Sequence, residues 1–239
     1  MEANVRVLGL DTSAKTGSVA LCDDDRLIVE ITLDMNRTHS ERLMSALDAM
    51  LSATGCAIES VELVAVSYGP GPFTGVRIGV TTAKALAFGL GIPAVGVPTT
   101  DAIAVRQRHR AGDVCVLLDA RKSEVYAARY ASCGDGEVKR VGEVRCVPLS
   151  DVVADVCRHT LFVGDGVEPN RVQIAACLGE LALFGDADAG ICRASDVARL
   201  GWRSYDASVE PAESAHRLAP LYIRRSEAES KRDVSDADA

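Results

Sequence analysis

Residues 69–75 read Gly69-Pro-Gly-Pro-Phe-Thr-Gly75, and three glycines and two prolines in seven positions forbid either a helix or a strand there. The segment must be a connection. Before it, Leu63 to Ser67 is an apolar run of strand length, and after it Thr74 is placed to cap a helix that runs to about Gly89. That helix carries Gly75, Gly79, Thr82, Ala83, Ala85 and Ala87, side chains small enough for another backbone to approach closely. Gly91-Ile-Pro93 stops it, and Ala94 to Val97 is the next strand.

Upstream, Val5 to Leu10, Gly17 to Cys22 and Leu27 to Leu33 are apolar runs separated by short polar breaks, which predicts a three-strand meander. Thr38 and Glu41 have capping-box spacing, and Leu43, Met44, Leu47, Met50 and Leu51 repeat at helical period, so a helix is expected from roughly Ser40 to Thr54. The pattern then restarts: Val114 to Leu118 ends at Asp119 much as Val7 to Leu10 ends at Asp11, and Val125 to Tyr130 follows. Further on, Leu149 to Arg158 reads as a helix, Leu161 to Val163 as a strand ending at Gly164-Asp-Gly166, and Ala194 to Trp202 as another helix. Beyond Pro220-Leu-Tyr-Ile-Arg224 the apolar period disappears, and 225–239 is expected to be a disordered tail.

Helix and strand alternate, and the 239 residues are 48% hydrophobic but only 4% aromatic, so the core must be built from Ala, Val, Leu and Ile. Strands buried on both faces under close-packed helices suit that composition, which gives an α/β class and room for two small lobes. We expect the first at 1–104 and the second at 105–224.

A formal net charge of -8 gives a field that repels phosphate, so this chain alone is expected to bind RNA poorly. The eight cysteines form no C-x-x-C pair, and His39, His109, His159 and His216 have no second His or Cys three or four residues away, so the usual zinc signatures are missing. The cysteines read as small core residues of a reducing cytosol. No segment approaches the ~20 apolar residues of a membrane helix, and Met1 to Leu10 lacks a leader pattern; the expectation is a soluble intracellular protein.

Three turns are candidates for chemistry. Asp11-Thr12-Ser13, opening the polar turn to Gly17, offers hydroxyls and amides for a phosphate and a carboxylate for hydrated magnesium; equally, Asp11 and Ser13 can satisfy the amides of a plain hairpin. The loop from Gly69 to Gly79 presents free amides at the start of a helix where an anion can sit, or is simply a tight connection with Arg77 in solvent. It has neither a Walker ending nor a dinucleotide fingerprint. Gly164, Asp165 and Gly166 either approach an adenosine or turn the chain. No G-x-S-x-G elbow is present.

The blocks LGLDTSAKTGSVAL (8–21), SYGPGPFTGVRIGVTTAKALAFGLGIPAVGVPTTDAIA (67–104) and PLYIRR (220–225) together resemble the TsaB (YeaZ) family, a group once labelled glycoproteases. The resemblance is firm over about 5–105 and looser to 225. It implies the two-lobed actin-like ATPase (ASKHA, ribonuclease H-like) fold, each lobe a mixed sheet with helices. It also implies a non-catalytic scaffold of the bacterial tRNA N6-threonylcarbamoyladenosine complex, pairing directly with the catalytic TsaD, reaching TsaE through the complex and tRNA indirectly. A homodimer is implied when the chain is alone. In TsaD a pair of metal-binding histidines four apart follows the equivalent strand; here Thr99 and Ile103 stand at those places, and neither replaces an imidazole. No metal is therefore expected, and metallopeptidase activity is not. No cofactor is required on this reading, and ATP or ADP with magnesium is an optional ligand. The alternative is an independent ATPase or phosphotransferase that uses Asp11 for magnesium and the turns at 12–16 and 164–166 for nucleotide. The partner interface is expected on Leu43, Met44, Leu47, Met50 and Leu51 of the first long helix and on Gly75, Gly79 and Ala83 of the second, if both keep an apolar face beyond the one used for packing.

Overall fold

A computed structural model of the chain describes residues 4–34 and 39–224. Three antiparallel strands open it: β1 (Arg6–Asp11), β2 (Thr16–Asp23) and β3 (Arg26–Asp34). Helix α1 (His39–Thr54) follows, then β4 (Leu63–Ser67), α2 (Phe73–Leu90) and β5 (Ala94–Val97). β4 pairs parallel with β1 and β5 parallel with β4, so the first sheet has the order β3-β2-β1-β4-β5. A short helix, α3 (Thr99–Ala104), leads to the second sheet.

That sheet repeats the plan. β6 (Gly112–Asp119), β7 (Glu124–Ser132) and β8 (Val138–Pro148) are antiparallel. After α4 (Leu149–Ala154), β9 (Thr160–Val163) pairs parallel with β6; after α5 (Val167–Leu178), β10 (Ala182–Phe184) pairs parallel with β9. The order is β10-β9-β6-β7-β8. Helices α6 (Ala194–Ser204) and α7 (Pro211–Arg217) close the described chain, and both return to the first sheet, α6 against β1, β2 and β4 and α7 against α2.

Alternation along the strands builds three cores. Leu8 and Leu10 of β1 and Val64 and Val66 of β4 face α1 and α2, where they meet Leu43, Leu47, Met50, Val76 and Val80. Val7, Leu63 and Ala65 point the other way, onto Val197 and Ala198 of α6 and Ile103 of α3, and the same layer receives Val114, Val116 and Leu118 of β6. The remaining β6 residues, Cys115 and Leu117, face Leu149, Val152 and Ile174 of α4 and α5. Five layers result, with α3 and α6 between the sheets. Arg193 at the start of α6 makes no side-chain cap; instead Ser18 of β2 accepts the Ala194 N–H at 2.9 Å and Glu30 of β3 accepts that of Ser195 at 3.0 Å. The helix thus satisfies its first donors on the sheet it covers.

Several boundaries differ from the sequence expectation. Thr74 does not cap α2: the helix starts at Phe73 with Pro72 in the cap position at φ -54, a torsion the pyrrolidine ring already fixes near helical values. The helix expected to reach Arg158 ends at Ala154. Strand β8, the short helices α3 and α7, and helix α5 were not anticipated. Thr38, half of the expected capping box, and the 225–239 tail lie outside the described residues.

Candidate functional site

β1 ends at the Asp11-Thr12-Ser13 turn, and the glycine loop lies directly on it. Asp11 and Thr12 are fully buried and Ser13 nearly so. Asp11 Oδ1 accepts the Ser13 N–H at 3.1 Å and the hydroxyls of both Ser13 and Ser67, with the Cys192 thiol beside the carboxyl. Thr12 Oγ1 donates to the Gly75 carbonyl at 2.7 Å. A Cβ on Gly71 would stand 2.4 Å from the Ser13 carbonyl oxygen, and one on Gly79 would stand 2.4 Å from Thr12 Oγ1. Gly71 and Gly79 are therefore clearance for the chain's own β1–β2 turn, while a Cβ on Gly69 would meet the Leu221 carbonyl oxygen at 2.9 Å. The loop is pinned at both sides, because Gly69 O accepts the Thr99 N–H at 2.8 Å and the Leu221 N–H bonds Tyr68 O at 2.7 Å.

In the second lobe, Gly164 has φ +112, and an added Cβ would meet the Leu117 carbonyl oxygen at 2.1 Å. Gly166 N–H donates to Leu117 O at 3.0 Å, and Asp165 Oδ1 accepts the Asp119 N–H at 3.0 Å. Burial pushes the Asp165 carboxyl upward, opposed in part by the Asp119 N–H and by the charge of Lys15. The charge of Lys15 on the β1–β2 turn of one lobe is thus felt at Asp165 on the 164–166 turn of the other.

The donor set does not fit a nucleotide on the groups the sequence offered. Both hydroxyls of Thr12 and Ser13 and the Ser13 amide are spent inside the protein. Burial raises the Asp11 pKa against the hydrogen bonds from Ser13 and Ser67, and its Oδ1 already accepts from the Ser13 amide and from both hydroxyls. Thr99 and Ile103 lie one turn apart on α3, both buried, and the Thr99 hydroxyl has no hydrogen-bond partner among the described residues. Among the described residues no group of three or more His, Cys, Asp or Glu is gathered as a metal site.

The outer face of α1 and α2 is different in kind. Six of the residues expected to meet a partner, Leu43, Leu47, Met50, Gly75, Gly79 and Ala83, are buried in the chain's own core, where the sheet and the β1–β2 turn already occupy them. Leu51 is partly buried and packs on the same core. Met44 is 48% exposed. On α2 the solvent side is a stripe the sequence reading did not pick out: Phe73, Arg77, Thr81, Ala85 and Phe88, at successive spacings of four, four, four and three. Phe88 is 86% exposed in a chain with few aromatics. The available signal was an aromatic at helical register with Arg77 and Phe73 on an otherwise small-residue helix. Beside this stripe, Thr81, Lys84, Ala85 and Phe88 form a groove of ≈ 970 Å³ with Pro211 and Ala212 of α7.

Two five-stranded mixed sheets of matching topology, with helices on their faces, define a protein of the two-lobed actin-like ATPase fold. Component A of (R)-2-hydroxyglutaryl-CoA dehydratase from Acidaminococcus fermentans shares that fold at TM-score 0.50 and 9% identity, over 84% of this chain and 98% of that one. YeaZ from Pseudomonas aeruginosa superposes at TM-score 0.76 with 27% identity, over 91% of this chain and 99% of that one. The family model described as "TsaD: tRNA N6-adenosine threonylcarbamoyltransferase" matches residues 30–231. The tRNA threonylcarbamoyladenosine biosynthesis protein TsaB of Bacillus subtilis is 34% identical over 228 residues, covering 94% of this chain and 96% of that protein. Its Escherichia coli namesake is 36% identical over 128 residues, 53% of this chain and 55% of that protein. The chain belongs to the TsaB (YeaZ) family.

Proposed function

We propose that this chain is a non-catalytic subunit in the synthesis of threonylcarbamoyladenosine on tRNA, pairing directly with a TsaD subunit and reaching TsaE and the tRNA through that complex. The observation that carries the reading is the stripe on α2. Phe88 stands almost fully in solvent beside an apolar groove, on a chain whose full-length relative is named for this pathway. An exposed apolar surface of this kind marks a place where another protein sits. The same face serves a second copy of the chain when TsaD is absent. Two further points support a scaffold over an enzyme: the hydroxyls of Thr12 and Ser13 and one oxygen of the Asp11 carboxyl are engaged in internal bonds, and the net charge of -8 disfavours direct capture of RNA. No helix among the described residues is long and apolar enough to cross a membrane. A cytoplasmic site of action is part of the proposal, supported by the tRNA pathway for which the Bacillus subtilis relative is named.

The test is reconstitution of the modification from purified TsaD, TsaE and the enzyme that supplies the threonylcarbamoyl adenylate, with and without this chain. Modification that needs the chain, and is lost with Phe88→Asp while the variant stays folded, supports the reading. Modification that proceeds without it, or magnesium-dependent ATP turnover by the chain alone that Asp11→Ala abolishes, overturns it.

A further inference from the structure

At the N-terminal end of the α2 stripe, the Arg77 guanidinium carbon lies 3.7 Å from the centroid of the Phe73 ring and 5.7 Å from that of Tyr222. The two rings stack at 5.0 Å. Arg77 Nε donates to the Tyr222 hydroxyl oxygen at 2.6 Å. One edge of the guanidinium and one face are thereby fixed, while its two terminal Nη groups have no hydrogen bond or ion pair with any described residue. An arginine on a surface helix ordinarily samples many rotamers and loses them on binding; this one is held before any ligand arrives.

A fixed guanidinium on an exposed residue, with both Nη groups unpaired among the described residues, is a fork for two oxygens of one carboxylate or phosphate. The surroundings choose between them. The chain carries a net charge of -8, which opposes a polyanion, and the stripe continues from Arg77 through Thr81 and Ala85 to Phe88. Phe73 and Phe88 are fifteen residues apart, about 22 Å along the axis, with small side chains between them, so a second helix fits along the stripe. We propose that Arg77 is the specificity-determining contact of this face, receiving in bidentate fashion an Asp or Glu side chain from a helix of the partner subunit, while Phe88 supplies the apolar contact at the other end. This rests on the reading of the chain as a TsaD-binding subunit.

The experiment measures the dissociation constant of the full chain for purified TsaD by titration calorimetry, using Arg77→Gln, Arg77→Lys, Tyr222→Phe and Phe88→Asp, each confirmed folded by its thermal transition. Arg77→Gln is expected to weaken binding about tenfold, the size of a lost charge-assisted bond. Arg77→Lys does not restore it, because an ammonium lacks the fork, and Tyr222→Phe gives an intermediate loss through the released Nε. Raising salt from about 50 to about 500 mM weakens the wild-type complex more steeply than that of Arg77→Gln, because the screened pair is missing in the variant. Phe88→Asp abolishing binding while Arg77→Gln keeps the wild-type constant, or keeps the wild-type salt slope, overturns the carboxylate contact and leaves the subunit reading intact. Wild-type binding by Phe88→Asp and Arg77→Gln together overturns both.

Discussion

Arg224 and Glu124 meet at 3.1 Å, and the same guanidinium donates to the Ala120 carbonyl at 3.0 Å, so the end of the described chain clamps the β6–β7 turn of the second sheet. Three residues earlier the Leu221 N–H bonds Tyr68 O at the end of β4 in the first sheet. Residues 218–224 therefore tie one lobe to the other, passing the Phe73–Arg77–Tyr222 stack on the way.

Removing that clamp has a modest, measurable cost. Both side chains are about one-third exposed, which discounts the ion pair for solvent screening, and the bond to Ala120 is charge-assisted. Arg224→Ala is expected to destabilise the protein by about 1 kcal/mol in urea unfolding. Faster amide exchange at 120–125 should accompany it. Unchanged exchange there would show that the clamp does not hold the turn.

The clamped turn is itself strained. Arg121, Lys122 and Ser123 have φ of +61, +54 and +63, three consecutive non-glycine residues in the left-handed region, with Asp119 Oδ1 accepting the Arg121 N–H at 2.7 Å. Each such residue costs about 1–2 kcal/mol relative to right-handed backbone, a penalty glycine escapes. Ser123→Gly is thus expected to stabilise the protein by about 0.5–1 kcal/mol after the greater freedom of glycine in the unfolded chain is subtracted. A lower urea midpoint for the variant would contradict this account of the turn.

Gly79→Ala tests whether the glycine loop is clearance for the β1–β2 turn. The new methyl would stand 2.4 Å from Thr12 Oγ1 and must push that side chain off the Gly75 carbonyl. Overpacking combined with a lost buried hydrogen bond predicts destabilisation of about 2–4 kcal/mol. Thr12→Ser in the same chain removes the Thr12 methyl, lets the hydroxyl turn, and should recover part of the loss. A double variant no more stable than Gly79→Ala would mean that the methyl strains the backbone instead.

Much of the first lobe was legible because β1, β2 and β4 are nearly continuous runs buried on both faces, and its loop admits only one kind of structure. The face of α2 was not. Gly75, Gly79 and Ala83 look equally suited to the outside of a helix, and only the tertiary position of Thr12 and of the sheet turns them inward. Helix α5 escaped notice because Val172 and most of its neighbours face solvent and only Val167 and Ile174 are buried, leaving no apolar period to read. Strand β8 is an edge strand with most of its residues at least partly in solvent, which hides alternation in the same way. In the candidate site, sequence offered two uses for Asp11, and only its burial with Ser13 and Ser67 shows that the turn-capping bonds are the ones made.

Asp11 also gives a pH signature whose sign follows from its burial. Desolvation raises its folded-state pKa despite the hydrogen bonds from Ser13 and Ser67, so the folded protein holds this proton more tightly than the unfolded chain does. Its contribution to stability is then fully present below the unfolded carboxyl pKa of about 3.9, is lost as pH rises through the folded-state pKa, and stays lost above it. Asp11→Asn keeps the shape of the protonated carboxyl and cannot ionise. Relative to wild type, the variant should therefore gain stability as pH is raised from about 4 to about 7. Asp165 and Asp196, whose carboxyls are also raised by burial, are common to both proteins and cancel in the comparison. Urea unfolding of the pair across that range checks the point: a stability difference independent of pH would show that Asp11 titrates alike in the folded and unfolded chains.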